Sequence, residues 1–262
     1  MSKLDLRGRM DDLLFASFDD GTRWPPGFLL PEKFDPGQIM GLGKNPGLSV
    51  RELHRQGVTG RGVGIAVIDQ ALFVDHQEYV HQLRLYEETD DITGGWLHAD
   101  MHGAAVASIA VGKTVGVAPE ADLYYIATSR GGDGKDFSAL AKCVRRVLAV
   151  NAELPRQRRI RVIAMAIGWD RGSKGYDEIA AATREAKAKG LLVVCSSIEE
   201  VHGFRFHGLG RPPLADPDRS SSYEPGTWWS HGLHPNRWSS DRLLIPMDSR
   251  TTASPHSPTQ YA

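Results

Sequence analysis

The 262-residue sequence has no apolar run approaching the roughly 20 residues that a membrane-spanning helix needs. It has almost no excess of either charge. Its 31 basic and 32 acidic residues leave a net charge of −1, which argues against a nucleic-acid or membrane-surface partner. It has only two cysteines, Cys143 and Cys195. They fall in a helix-like and a strand-like segment and make no metal-ligand pair, so they read as small buried hydrophobes rather than a disulfide or redox pair. The start, MSKLDLRGRMDDLLF, lacks the long apolar stretch of a secretory signal and carries Asp5, Asp11 and Asp12. These absences predict a cytoplasmic chain. Internal repeats and low-complexity tracts are lacking too. A zinc-peptidase helix is excluded, because His98 and His102 have the spacing but no glutamate follows His98. Gly112-Lys113-Thr114 fails as a P-loop, since Ala107 stands where the first glycine belongs and the string follows a helix.

What is present is an alternation of two textures. Near-continuous apolar runs predict strands over 63–69, 122–127, 160–167 and 191–196. Between them, 102–111, 137–150 and 176–189 predict helices. In the second helix Phe137, Leu140, Ala141, Val144, Val147 and Leu148 recur at helical spacing, and Gly190 is placed to end the third. Apolar strands separated by helices imply an α/β fold, a three-layer α/β/α arrangement around a mostly parallel sheet. Residues 1–45 read as a Gly/Pro-rich extension that wraps or caps a domain spanning 46–262. Ser49 with Glu52 predicts a capping box for a short helix ending near Gln56. From His202 to Trp238 the chain is rich in Gly, Pro, Ser, His and Trp with little periodicity, before a short strand at 243–247.

In a parallel sheet, chemistry collects at the C-terminal ends of strands. Asp69 ends the run GIAVID, and His102 opens the helix MHGAAVASIA. An aspartate that orients an imidazole suits general-base chemistry. A strand-end turn residue and a structural histidine satisfy the spacing equally well.

Five blocks decide between these readings, because they resemble the subtilisin-like serine peptidases and occur in that family's order. GVTGRGVGIAVID is similar to the entry into the first catalytic strand and MHGAAVASIA to the helix carrying the catalytic histidine. GVAPEADLYYIA resembles the following strand, RVIAMAIGWD the strand whose edge pairs with substrate, and GLLVVCSSIEE the strand leading to the oxyanion-hole asparagine. The resemblance implies a subtilisin-like fold and a serine-type endopeptidase acting on peptide or protein substrates, with no cofactor. It implies that Asp69 and His102 are the triad acid and base, and that Ala166, Ile167 and Gly168 form the substrate-binding edge. Glu199 falls at the oxyanion position. An ionised carboxylate there repels an oxyanion, whereas a protonated one donates to it.

The family's nucleophile motif has no clear counterpart. The end of Arg250-Thr251-Thr252-Ala253-Ser254-Pro255-His256 matches residues just after the nucleophile and would put Thr251 in its place. The prolines of the sequence that follows cannot sustain the long helix the motif opens. The expectation is that LLIPMDSRTTA leads toward the nucleophile, that the serine falls beyond Ala262, and that the closing helices are absent. The alternative is a peptidase-like protein that binds peptides without cleaving them. The calcium loop after the histidine helix is shortened to GKTVGVAP, so no metal is expected, although Glu78 falls near one family ligand. His202, His207, His231 and His234 read as surface or pocket residues. Trp228, Trp229 and Trp238 pack a loop onto the body or line a cleft, and Gly131 to Lys135 reads as a turn.

Overall fold

The computed structural model describes residues 1–89, 101–129, 136–225 and 242–262. The readings placed on His98, Gly131 to Lys135, Trp228, Trp229, His231, His234 and Trp238 lie outside these residues.

Five strands, β1 (Gly64–Asp69), β2 (Leu83–Glu88), β3 (Asp122–Ala127), β4 (Ile160–Met165) and β5 (Leu192–Cys195), form a sheet of order β2-β3-β1-β4-β5. Every pairing is parallel. The helices α4 (Met101–Val111), α5 (Phe137–Glu153) and α6 (Tyr176–Ala188) flank it. Shorter helices are α1 (Met10–Leu14), α2 (Pro36–Gly43), α3 (Val50–Arg55) and α7 (Ile198–His202). A second sheet of order β7-β6-β8 joins β6 (Arg205–Gly210), β7 (Glu224–Pro225) and β8 (Arg242–Pro246).

The two sheet faces bury different helices. On one face, α5 and α6 pack Leu140, Val144, Val147, Ile179 and Ala182 against Ile68, Ile126, Ile163 and Val193. All six apolar positions read from the α5 sequence are buried there. Cys143 and Cys195 join this core as free thiols, and burial pushes Cys195 up to about 11. On the other face, α4 packs Ala104, Ala107 and Val111 against Val67, Leu123 and Tyr125. Alanines let that helix sit close to the strands.

Local chemistry explains the element ends. Asp136 caps α5 by accepting from Ser138 N at 3.0 Å. Near the other end of α5, Asn151 is buried and acts as a strand partner. Its Oδ1 accepts from Ile160 N at 2.8 Å and its Nδ2 donates to Ile160 O at 3.1 Å. Gly190 sits at φ +80° just past α6, where a left-handed residue closes the helix.

Three sequence expectations need correction. Ser49 is left-handed (φ 62°) and makes no side-chain cap. Its N–H instead donates to Asp218 Oδ1 at 2.8 Å, while Glu52 turns to Arg55 and Gln56. The capping box fails because a distant aspartate holds the residue that would close it. The strand read through residue 167 stops at Met165. The irregular stretch after His202 also holds a real strand, β6, which pairs in parallel with β8. A parallel partner more than thirty residues away leaves no local hairpin signal.

Candidate functional site

The sheet order reverses between β1 and β4. The chain leaves β1 toward β2 on one side and leaves β4 toward β5 on the other. Such switch points open a crevice at the strands' C-terminal ends, where α/β proteins bind ligands. Asp69 closes β1 on that edge, and Ala166 to Gly168 follow β4 on the same edge.

Asp69 is 1% exposed. Its Oδ1 accepts from Gln70 N at 2.7 Å and from His102 Nδ1 at 2.7 Å. An ionised carboxylate only accepts, so Nδ1 carries the proton and Nε2 is the basic nitrogen. The His102 side chain is 40% exposed, which leaves the imidazole open toward solvent while its orienting acid stays dry. Gly103 makes the close approach possible. A Cβ there would lie 2.6 Å from Ala71 O and 2.9 Å from Gln70 O, so any larger residue would lift the start of α4 off the turn after β1.

The segment after β4 is tied to the end of β5. Ile167 O accepts from Ser196 N at 3.0 Å. Ser197 Oγ accepts from Trp169 N and donates to Trp169 O, both at 2.6 Å. Ala166 is exposed beside this clasp, and Gly168 packs so tightly that a Cβ would meet Ser196 Cβ and Ser197 Oγ at 3.1 Å. Glu199 lies exposed in the first turn of α7 rather than in a loop. Its neighbour Glu200 accepts from Tyr176 OH at 3.1 Å.

Thr251 is 4% exposed. Its hydroxyl donates to Met40 O at 2.8 Å and its N–H to Gly43 O at 3.1 Å. Two residues on, Ala253 N donates to Ser108 Oγ at 3.0 Å. Ser108 is six residues beyond His102 on α4, about 9 Å along the helix axis. Thr251 is thus committed to holding α2 rather than to facing the imidazole.

Two features escaped the sequence reading. The first is the setting of Glu78, 1% exposed. It accepts from Thr114 N at 2.8 Å, Thr114 Oγ1 at 2.6 Å, Val115 N at 3.4 Å and the Tyr261 hydroxyl. Burial alone would raise its pKa, but these donors together hold it below the usual glutamate range. Among the described residues no group of three or more His, Cys, Asp or Glu could hold a metal ion. The second is Arg250, which donates to the carbonyls of Gly43, Pro46 and Val115 at 3.2, 3.4 and 2.6 Å. Both involve partners distant in sequence, which no local pattern reveals. His202 holds Val193 O at 2.8 Å, and His207 is buried. A cavity of about 300 Å³ beside α6 is lined by Trp169, Tyr176, Arg184 and Glu200 but by neither Asp69 nor His102.

Asp69 and His102 are thus joined at a switch point of the parallel sheet of an α/β protein. Comparison with known proteins sharpens that class. The model of the Subtilase family matches residues 60–231, and the chain belongs to this family. The chain is 28% identical over 179 residues to the Major intracellular serine protease of Bacillus subtilis (strain 168), covering 63% of this chain and 53% of that protein. It is 30% identical over 166 residues to Subtilisin-like protease 3 of Pseudogymnoascus destructans, covering 60% of this chain and 37% of that protein. The chain thus spans about half the length, or less, of these curated relatives. Among solved structures, the PatG macrocyclase in complex with peptide superposes with a TM-score of 0.50 at 13% identity, covering 81% of this chain and 73% of that one. This likeness shows the fold: a five-stranded parallel sheet with flanking helices. No helix among the described residues is long and apolar enough to cross a membrane.

Proposed function

We propose that the chain carries the acid–base half of a serine-type endopeptidase that hydrolyses peptide bonds in cytoplasmic peptide or protein substrates. Asp69 orients His102 and stabilises the imidazolium, and His102 Nε2 takes the proton from a serine nucleophile and returns it to the leaving amine. Residues 166–168 pair with the substrate backbone. Residues 46–262 form the peptidase domain, and 1–45 cap it. The observation carrying this reading is the 2.7 Å bond between His102 Nδ1 and the buried Asp69 Oδ1 at the switch point. On this reading Thr251 is not the nucleophile, because its hydroxyl is engaged with Met40 O. The test is fluorophosphonate labelling of a chain that includes the sequence after Ala262. Serine-specific labelling lost on His102→Ala is the expected result. A folded, extended chain that takes no label would overturn it.

The second reading is a peptidase-like protein that binds peptides without cleaving them, favoured by Glu199 at the oxyanion position. It expects no turnover from the extended chain and peptide binding that survives His102→Ala. Measured turnover in the parent, with peptide binding lost on that substitution, would exclude it.

A further inference from the structure

We propose that Tyr125 is a positioning residue for the Asp69–His102 pair, an inference that rests on the function proposed above. Tyr125 lies on β3, fully buried, opposite Val67 of β1 in the parallel register. Asp69 is two residues further along β1, about 6.6 Å by strand rise. The phenol spans that step, and its hydroxyl donates to Gln70 O at 2.6 Å. Gln70 is the residue whose N–H fixes Asp69 Oδ1. Gln70, the residue that follows the catalytic carboxylate, therefore has both of its backbone polar groups held, the N–H by Asp69 and the C=O by Tyr125.

The same hydroxyl also touches the histidine side of the pair. A Cβ at Gly103, the residue after His102, would lie 2.7 Å from Tyr125 Oη. The tyrosine oxygen thus sits between the turn that presents the acid and the helix start that presents the base, and it sets the separation of the two. Phenylalanine would fill the same volume but release the Gln70 carbonyl, so the turn and Asp69 could rotate. Near-attack geometry is sensitive on this scale: a displacement of about 1 Å costs on the order of a hundredfold in rate.

The control is built into the same core. Tyr79 is also fully buried, packs in the same apolar cluster, and donates its hydroxyl to Phe73 O at 2.8 Å. Tyr79→Phe removes a bond of the same kind away from the pair. The experiment compares wild type, Y125F, Y79F and D69N in the 262-residue chain. It records the low-field Nδ1 proton resonance of ¹⁵N-histidine-labelled protein, with circular dichroism to verify folding. The expected result is a resonance present in wild type and Y79F, abolished in D69N, and shifted or broadened away in folded Y125F. In a form with peptidase turnover, Y125F then lowers kcat by about ten- to a hundredfold with little change in KM. Folded Y125F with the wild-type resonance overturns the proposal. A wild-type resonance indifferent to D69N overturns instead the reading of the pair itself. Gly103→Ala attacks the same seat from the helix side. If Y125F does not fold, G103A must lose the resonance while folded, and its retention counts against the proposal.

Discussion

Glu78 offers the sharpest test of the structure, because its environment separates charge from hydrogen bonding. Its Oε2 faces two backbone N–H groups, and its Oε1 faces the hydroxyls of Thr114 and Tyr261. In Glu78→Gln the amide oxygen can keep the N–H groups while the amide nitrogen donates to hydroxyls that rotate to accept. The bonds survive and only their charge assistance is lost, a cost of about 1–2 kcal/mol at pH 7. Glu78→Ala leaves the Val115 N–H and Tyr261 hydroxyl buried without an acceptor and costs about 3–5 kcal/mol. With a urea m-value of roughly 3 kcal/mol/M, the alanine variant's midpoint falls by about 1–1.7 M. The pH dependence has a definite sign. The folded carboxyl sits below its unfolded value, so its stabilisation is complete above the ordinary glutamate pKa, near 4.3. It is lost as pH falls from there through the folded value. The gap between wild type and E78Q therefore closes on acidification, because a protonated glutamate offers what glutamine offers. Urea titrations followed by tryptophan fluorescence at pH 7 and at descending acid pH measure it. A gap that stays constant with pH, or E78A unfolding at the wild-type midpoint, would refute the argument.

Three further outcomes follow from the same contacts. In an extended, active chain, Asp69→Asn lowers kcat about 10⁴-fold, because the amide no longer enforces the Nδ1–H tautomer; steady-state peptide hydrolysis checks this, and a loss below tenfold would contradict the assigned role. Thr251→Val removes the hydroxyl bonded to Met40 O and costs about 1–2 kcal/mol in urea unfolding without changing catalysis; cleavage abolished by that substitution would put Thr251 back in the nucleophile's place. On β5, an edge strand, Leu192 and Val194 are 50% and 39% exposed, so the 262-residue chain should self-associate and L192K/V194K should reduce it in light scattering; a monomeric parent with a sharp thermal transition speaks against this.

The sheet's central strands were legible because they are local. GIAVID and DLYYIA are almost wholly buried, and the run from Ile160 is apolar apart from the exposed Arg161, so all three read as strands from their own composition. The α5 period declares its buried stripe without knowledge of its partners. Strand β2, LRLYEE, was missed because it is an edge strand with only half-buried and exposed residues, and its charges hide it. The Asp69 and His102 positions stood out from family-like blocks, but nothing local states that two residues 33 positions apart fold back to a 2.7 Å contact.

The sequence by itself determined the alternation of apolar strands and amphipathic helices, hence a layered parallel sheet, and it placed an aspartate and a histidine where such sheets do chemistry. Periodicity and composition are properties of neighbouring residues, so they survive without a fold. Only the tertiary structure decided which groups satisfy one another. It sent Ser49 to Asp218, seated Glu78 among Thr114, Val115 and Tyr261, turned Thr251 toward Met40, and set Tyr125 against the carbonyl of Gln70. Apart from the exposed Ser49, each is a buried polar group whose partner is chosen by three-dimensional proximity, because desolvation makes leaving it unpaired costlier than reaching across the fold.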